Sequence, residues 1–320
     1  MIVMRCKRAM ASDYGSIVRV GSERPPRAGR RVRHMISIIA VTHNREHLLR
    51  LCVEQVLRRA SPLTTEIVIW NNASTDGTRA YLDSLADPLI RVVHHPENIA
   101  MNARARAFRL AHGDYLIEVD DDVVEAPPNW DEILLNAYRR LPQIGRLGAN
   151  LAYDPNDVAS KYLRYAREER GEYPQREVNG IRILDGSPGG ACTMTSRELY
   201  ERIGGYREHR RHPYWRPEVP YEKAMRKLGY TSGLLAELEV RHAGGVYFSE
   251  VPRAKVDYNA HELKVRERKN MVKRLLLALP GAAALNARLR WIVPPAPQYD
   301  PATYEPDRPG EAPQDESRAT

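Results

Sequence analysis

The sequence lacks the features that define several large classes of protein. Its three cysteines, Cys6, Cys52 and Cys192, are far apart, which excludes a disulfide framework and a cysteine-rich zinc site. It contains no apolar run of roughly 18 residues, so we expect no transmembrane helix. No G-x-G-x-x-G turn follows a strand pattern, which argues against a dehydrogenase. No signal-peptide pattern opens the chain, so we expect a cytoplasmic protein.

The positive charge of the chain is concentrated at one end. The net charge is +8 over 320 residues. Residues 1–34 contain nine Lys or Arg and two acids, whereas residues 294–320 contain seven prolines, six acids and two Arg. We expect a disordered basic arm and a disordered acidic tail. The mildly basic body between them suits an anionic small substrate, and we expect no nucleic-acid partner.

The first half of this body alternates between strand and helix patterns. Short apolar runs predict strands at residues 36–41, 66–70, 90–93 and 115–119, with helices at 49–60, at 78–85 and from an Asn98 cap to Gly113. Such alternation predicts an α/β fold with a mainly parallel sheet and helices on both faces.

The second half is less regular, and residues 150–185 show no clear pattern. A capping box formed by Asn129 and Glu132 predicts a helix to Leu141. Ser196 predicts the start of a helix that ends at glycines 204 and 205. Further strands are predicted at 191–194 and 237–242, and a further helix at 221–228.

Residues 262–292 form a basic amphipathic segment. Lysines and arginines surround the apolar run 275–279. Two interpretations stay open: a helix packed on the catalytic domain, or a peripheral contact with the anionic inner face of a membrane.

Three polar loops follow the predicted parallel strands, at residues 42–45, 71–76 and 120–122. Ligands of such sheets bind beyond the carboxyl ends of the strands, so we expect the three loops to share one edge. The last loop is the acidic triplet Asp120, Asp121 and Asp122. Adjacent carboxylates repel one another, and a bound Mg²⁺ or Mn²⁺ relieves that repulsion most directly.

These loops also carry motifs in a characteristic order. The order is IIAVTHNR at 38–45, NNASTDGT at 71–78, Asn98, AHGDYLIEVDDD at 111–122, PGGA at 188–191, ERIGGY at 201–206 and RHAGG at 241–245. The ordered set resembles the family 2 glycosyltransferases of the GT-A fold, over residues 35–246. The resemblance implies a Rossmann-like catalytic domain there, followed by a basic helical extension at 247–293.

The resemblance also implies roles for individual residues. Asp120 and Asp122 match the family's D-x-D element, which holds a divalent cation, Mn²⁺ or Mg²⁺, and His242 matches a histidine that approaches it. The implied nucleotide-sugar site comprises Thr42, Asn44, Arg45, Asn71, Ser74, Asp76, Asp120, Asp121 and Gly190.

Two positions depart from the family pattern. Asn71 stands where an aspartate usually contacts the base, and an amide offers both a donor and an acceptor. It would pair with N3–H and O4 of uracil or thymine, which favours a uridine- or thymidine-linked donor. The second position is that of the catalytic base. Where the family commonly has a Glu-Asp or Asp-Asp pair, this chain has Pro217 followed by Glu218, and Glu222 is the alternative base.

Together these features predict a cation-dependent inverting glycosyltransferase. Its partners would be a nucleotide-sugar donor and a hydroxyl acceptor, such as a glycan, a lipid-linked glycan or a small molecule, during polysaccharide or natural-product assembly. Two alternatives remain open at this point: a sugar nucleotidyltransferase, and a non-enzymatic basic protein that docks on nucleic acid or a membrane.

Overall fold

The computed structural model describes residues 17–18, 35–155, 157–168, 171–210, 214, 216–244, 264–265, 268–269 and 271–289. The chain divides into two compact units, Met1–Ser249 and Glu250–Thr320. Most of the basic arm, residues 245–263 and the acidic tail lie outside the described residues. Within the arm, Ile17–Val18 form a short strand, where no regular structure is expected from the sequence.

The first unit is built on one mixed sheet. Its strands are β1 (Ile17–Val18), β2 (Ile36–Thr42), β3 (Thr64–Asn72), β4 (Ile90–His95), β5 (Tyr115–Asp120), β6 (Val123–Glu125), β7 (Ile144–Leu151), β8 (Gln175–Val178), β9 (Ile181–Asp185), β10 (Cys192–Ser196) and β11 (Thr231–His242). Their order is β1-β4-β3-β2-β5-β10-β7-β11-β9-β8, and β6 pairs with β11.

The strands β4, β3, β2 and β5 are all parallel to their neighbours within this group. This is the Rossmann-like half that the alternating pattern predicts, and the α/β prediction is confirmed. The second half adds antiparallel pairing, because β10 runs opposite to both β5 and β7. Strand β11 then returns parallel to β7, which brings His242 to the edge where β5 ends.

The helices cover both faces of the sheet. They are α1 (Glu46–Gln55), α2 (Thr78–Asp83), α3 (Asn102–Leu110), α4 (Trp130–Arg140), α5 (Val158–Glu168), α6 (Arg197–Ile203) and α7 (Glu218–Lys227), with a 3-10 turn at Leu57–Arg59. Alternate residues of β2 enter different cores: Ile36 and Ile38 pack with α1, α2 and α4, and Ile39 packs with α3, α6 and α7. The alternation follows from the two-residue period of a strand.

Several helix boundaries differ from the sequence expectations. The predicted helix at 49–60 ends at Gln55. Helix α3 begins at Asn102, and Asn98 instead accepts bonds from the Asn72 side chain and the Ala100 amide. The Asn129 capping box is wrong, because Asn129 is left-handed at φ 57° and its side chain makes no cap bond. The Ser196 cap is confirmed by a 3.3 Å bond from the Leu199 amide.

The second unit contributes helical residues 271–277 and the helix Ala282–Leu289. Several large apolar side chains there are exposed, among them Met271 at 56 % and Leu275 at 64 %. Across the part of the chain that the structure describes, no helix is long and apolar enough to cross a membrane.

Candidate active site

The three predicted loops meet at one edge of the sheet. In the parallel register, Thr42 lies opposite Asn71, and Val41 lies opposite Asp120. The side chains that follow these strands therefore end at the same level, as expected for parallel strands. Thr42, Asn71, Asp121 and Asp122 are all buried, so the acidic triplet does not form a solvated surface turn.

Two arginines neutralise much of the triplet. Arg45 Nη1 lies 2.7 Å from Asp121 Oδ1 and 3.0 Å from Asp122 Oδ2. Arg104 pairs with Asp120, and its Nη1 also lies 2.6 Å from Glu118 Oε1. From the sequence, a bound cation was expected to relieve the repulsion between the three carboxylates most directly. In the structure, the guanidinium groups of Arg45 and Arg104 already supply part of that relief.

Asp120, Asp122 and His242 form a cluster of possible metal ligands. One ligand atom from each lies within 4.8 Å of the others. Oδ1 of Asp122 is buried without an aligned hydrogen bond, although Nε2 of His242 lies only 3.1 Å from it. The two carboxylates are ligands that suit Mn²⁺ or Mg²⁺, and His242 would add a nitrogen donor. A buried carboxylate oxygen that only the His242 ring approaches, with Asp120 nearby, fits the implied cation.

The charges of this cluster are strongly coupled. Burial opposes ionisation of Asp122, but the His242 ring and Arg45 outweigh it and lower the pKa of Asp122 to about 2. Burial alone would lower the pKa of His242, whereas Asp122 and Asp157 raise it to about 10. Burial raises the pKa of Asp121 to about 6, although Arg45 acts against this. Asp122 is therefore ionised at neutral pH.

Asp157 is a site residue that sequence reasoning missed. Its Oδ1 lies 3.0 Å from Nδ1 of His242, so it orients the ring toward Asp122, as carboxylates commonly orient metal-binding histidines. The residue directly precedes helix α5, where it also accepts bonds from the amides of Ala159 and Ser160. The polar stretch 150–185 gave no periodic signal that would have identified it.

The loops after β2 and β3 hold each other through side chains. The Asn44 amide donates to Ser74 Oγ at 2.9 Å, and the Thr75 amide donates to Asn44 Oδ1 at 2.7 Å. Asp76 accepts from the amides of Glu46 and Thr78; these bonds outweigh the effect of burial and lower its pKa. Asn44, Ser74 and Asp76 thus shape this edge of the predicted nucleotide pocket.

Gly190 lies against the same arginine that holds Asp120. A Cβ atom at Gly190 would lie only 2.6 Å from Arg104 Nη1. Glycine at this position therefore allows Arg104 to reach Asp120 and Glu118. The neighbouring Gly189 carbonyl accepts a 2.7 Å bond from the buried Arg146.

The two candidate base residues differ in their surroundings. Glu218, at the start of α7, accepts a 2.7 Å bond from Arg216 on Oε1, while its buried Oε2 has no hydrogen-bond partner. Burial opposes ionisation of Glu218, but Arg104 and Arg216 lower its pKa. It is therefore a carboxylate with one oxygen free.

Glu222 is engaged on both oxygens. Oε1 accepts from Arg146 and from Ser187 Oγ, and Oε2 accepts a 2.8 Å bond from Arg226. The Arg146 side chain is 1 % exposed, so its charge is compensated inside the protein. This environment is typical of a structural ion pair.

Comparison with known proteins agrees with the motif order. The model of the family "Glycosyl transferase family 2" matches residues 37–204, more than half of the chain. The chain is 33 % identical over 145 residues to the putative colanic acid biosynthesis glycosyl transferase WcaA of Escherichia coli K12, covering 44 % of this chain and 51 % of that protein. It is 26 % identical over 194 residues to the O-antigen biosynthesis protein RfbC of Myxococcus xanthus, covering 54 % of this chain and 14 % of that protein. It spans only part of each relative's length.

Solved structures that are similar to this chain share little sequence identity with it. The mannosyltransferase PcManGT from Pyrobaculum calidifontis matches with a TM-score of 0.45 and 19 % identity, over 84 % of this chain and 77 % of that one. Glucosyl-3-phosphoglycerate synthase from Mycobacterium tuberculosis matches with a TM-score of 0.46 and 16 % identity, over 76 % of this chain and 78 % of that one. The family match rests on the sequence: this chain belongs to glycosyl transferase family 2.

Proposed function

We propose that this protein is an inverting glycosyltransferase that moves a sugar from a uridine- or thymidine-linked nucleoside diphosphate to a hydroxyl acceptor. One observation carries the proposal: the donor atoms of Asp120, Asp122 and His242 converge within 4.8 Å, at the sheet edge where Thr42 and Asn71 end. Membership of family 2 supports the reaction class. The donor nucleotide, the stereochemistry and the cation are parts of the proposal.

The nucleotide half of the donor would lie against the ends of β2 and β3. Asn71 would read the base edge, and the loops of Thr42, Asn44, Arg45, Ser74 and Asp76 would form the pocket around it. Asp120, Asp121 and Gly190 would face the ribose, diphosphate and sugar. The shared edge of the parallel strands supports this arrangement.

Asp120, Asp122 and His242 would hold the divalent cation, Mn²⁺ or Mg²⁺. When bound, the cation would stabilise the negative charge that develops on the leaving diphosphate. Asp157 would keep the imidazole of His242 turned toward Asp122. Arg45 and Arg104 would fix the carboxylates of the triplet in place.

Glu218 would act as the general base. Its unpaired Oε2 would accept the proton of the acceptor hydroxyl while the hydroxyl oxygen attacks the anomeric carbon. The bond from that carbon to the diphosphate oxygen breaks in the same displacement, through an oxocarbenium-like state. Attack opposite the leaving group inverts the anomeric configuration. Glu222 is less suited, because both of its oxygens accept bonds.

The acceptor would be a growing polysaccharide or its lipid-linked precursor. The two named relatives are an O-antigen biosynthesis protein and a putative colanic acid biosynthesis glycosyl transferase. This chain spans 14 % and 51 % of the length of those proteins.

A peripheral contact with an anionic membrane is a further part of this proposal. Met271, Leu275 and Leu279 follow one another at four-residue spacing and are exposed by 56 %, 64 % and 57 %. Met271 and Leu275 lie within the helical residues 271–277 and share one face of that helix, and Leu279 follows the helix. Lys273 and Arg274 lie in the same segment, and basic residues beside an apolar face favour anionic lipid surfaces.

A ligand screen tests the donor and cation assignments together. UDP, dTDP, CDP, GDP and ADP are each added to the full chain with Mn²⁺, with Mg²⁺ or with EDTA, and the melting temperature is recorded. We expect stabilisation by UDP or dTDP that requires the cation, because a ligand stabilises the fold to which it binds. A flat response to every nucleotide would argue against the proposed function.

A further inference from the structure

The amide of Asn71 is the first member of a chain of three side chains. Its Nδ2 lies 3.0 Å from Nδ1 of His94, and Nε2 of His94 lies 2.9 Å from Oδ1 of Asp83. Asn71 and His94 are buried at 2 % and 4 % exposure. The Asp83 side chain is 45 % exposed, at the last residue of α2. These hydrogen-bonded side chains therefore connect the predicted pocket to the surface.

The contacts determine where the protons lie. An ionised carboxylate only accepts hydrogen bonds, so Nε2 of His94 carries the proton that points to Asp83. In the neutral imidazole, Nδ1 then carries a lone pair and accepts from the Asn71 amide. On its other side, Asn71 Oδ1 accepts from the Ser74 amide at 3.0 Å. A backbone N–H only donates, so both contacts require the same orientation of the Asn71 amide.

We propose that Asp83 and His94 are positioning residues that prevent the Asn71 amide from flipping, so that the pocket selects uracil or thymine and rejects cytosine. This inference rests on the proposed function and deepens it. After the contacts to His94 and Ser74, Asn71 retains one N–H and one oxygen lone pair for a base. That pair complements the adjacent N3–H and C4=O groups of uracil and thymine.

Cytosine requires the opposite amide orientation. Its N3 is an acceptor where uracil has N3–H, and its exocyclic amine is a donor where uracil has O4. A flipped Asn71 amide would place Oδ1 against the lone pair of His94 Nδ1 and the NH₂ group against the Ser74 N–H. Both hydrogen bonds would be lost in a buried site, where an unsatisfied group is costly.

Asp83→Asn is the most direct test, because Asp83 lies at the surface and its replacement is nearly isosteric. An asparagine at this position can donate to Nε2 as well as accept from it, so His94 can adopt the Nδ1–H tautomer. With that tautomer a flipped Asn71 amide keeps a bond to His94, so only the loss of the Ser74 bond still opposes cytosine. Arg79→Ala is the matched control, since Arg79 lies 3.7 Å from the same carboxylate but takes no part in the chain.

The measurement is the dissociation constant of UDP and of CDP by calorimetry, for full-length chains in the presence of Mn²⁺. We expect the wild type and Arg79→Ala to bind UDP about tenfold or more tightly than CDP. In Asp83→Asn we expect this preference for UDP to fall by about threefold or more, because one of the two contacts that oppose the flip is removed. An unchanged ratio in Asp83→Asn, with UDP still bound, would overturn this inference and leave the proposed function intact.

A second measurement needs no nucleotide. Nitrogen NMR of ¹⁵N-histidine-labelled protein reports the tautomer of each imidazole, and the signal missing from His94→Phe identifies His94. We expect the Nε2–H tautomer in the wild type and a mixture of tautomers in Asp83→Asn. A wild-type Nδ1–H tautomer would overturn the positioning role alone. Failure of the wild type to bind any nucleoside diphosphate would instead overturn the proposed function, and base selection with it.

Discussion

Asp157 holds the imidazole of His242 from the side opposite to the acidic triplet: its Oδ1 lies 3.0 Å from Nδ1 of the ring, while Nε2 lies 3.1 Å from Asp122 Oδ1. We expect Asp157→Asn to weaken Mn²⁺ binding by about 10- to 100-fold, because the carboxylate orients the ring. Calorimetric titration of Mn²⁺ measures this.

The neighbouring Asp154 offers a matched control. It pairs with Arg241, the residue before His242, at 3.3 Å, so Asp154→Asn also changes a carboxylate beside β11. We expect that variant to bind Mn²⁺ as the wild type does. Equal affinities in both variants would contradict the orienting role of Asp157.

Asp122 is the carboxylate on which the cation proposal depends most. We expect Asp122→Ala to lose metal-dependent sugar transfer, because its buried Oδ1 would be a ligand. The measurement is release of nucleoside diphosphate from the donor with Mn²⁺ and with EDTA. Full activity of this variant in the chelated assay would exclude the metal role.

The surroundings of Glu218 and Glu222 predict different consequences when each residue is replaced by Gln. We expect Glu218→Gln to lower kcat by about 10²- to 10⁴-fold, with the KM for the donor little changed, because it removes the proton acceptor. Initial rates over a range of donor concentrations separate the two parameters.

Glu222→Gln should act on stability instead. It leaves the charge of the buried Arg146 partly uncompensated, and breaking a buried ion pair costs about 3–5 kcal/mol of unfolding free energy. Denaturant unfolding measures this cost. A large loss of kcat in Glu222→Gln, with normal stability and active Glu218→Gln, would exchange the two roles.

Asp131 offers a test of the scaffold away from the site. It is fully buried and accepts bonds from the Ser61 amide, Ser61 Oγ and Thr64 Oγ1 at 2.7–2.9 Å. We expect Asp131→Ala to reduce the free energy of unfolding by about 3 kcal/mol, because these donors lose their acceptor in a buried site. Urea unfolding measures the change, and the exposed Glu54→Gln provides a control within about 0.5 kcal/mol.

Membrane contact has its own test. We expect the full chain to sediment with vesicles that contain phosphatidylglycerol and not with pure phosphatidylcholine, because the segment combines exposed leucines with lysines and arginines. Replacement of Leu275 and Leu279 by Asp should abolish sedimentation. Binding that is unchanged in this double variant would exclude the apolar face.

The structure was predicted best from the sequence where the local pattern and the tertiary structure agree. The strands before Thr42, Asn71 and Asp120 are apolar runs between turn residues, and parallel topology brought their ends together as expected. The Asn129 cap failed because its backbone is left-handed, which side-chain preference alone does not reveal. The contacts of Asp157 with His242 and of His94 with Asn71 could not be predicted, because they join residues 85 and 23 positions apart.

The placement of Asp83 at the outer end of α2 has a consequence for how such enzymes diversify. If an exposed carboxylate governs which base is accepted, donor preference can drift through changes on the outside of the protein, without disturbing the groups that perform the transfer. Nucleotide choice and turnover would then evolve along separate routes, and α2 would be the place to look for the difference between otherwise similar transferases.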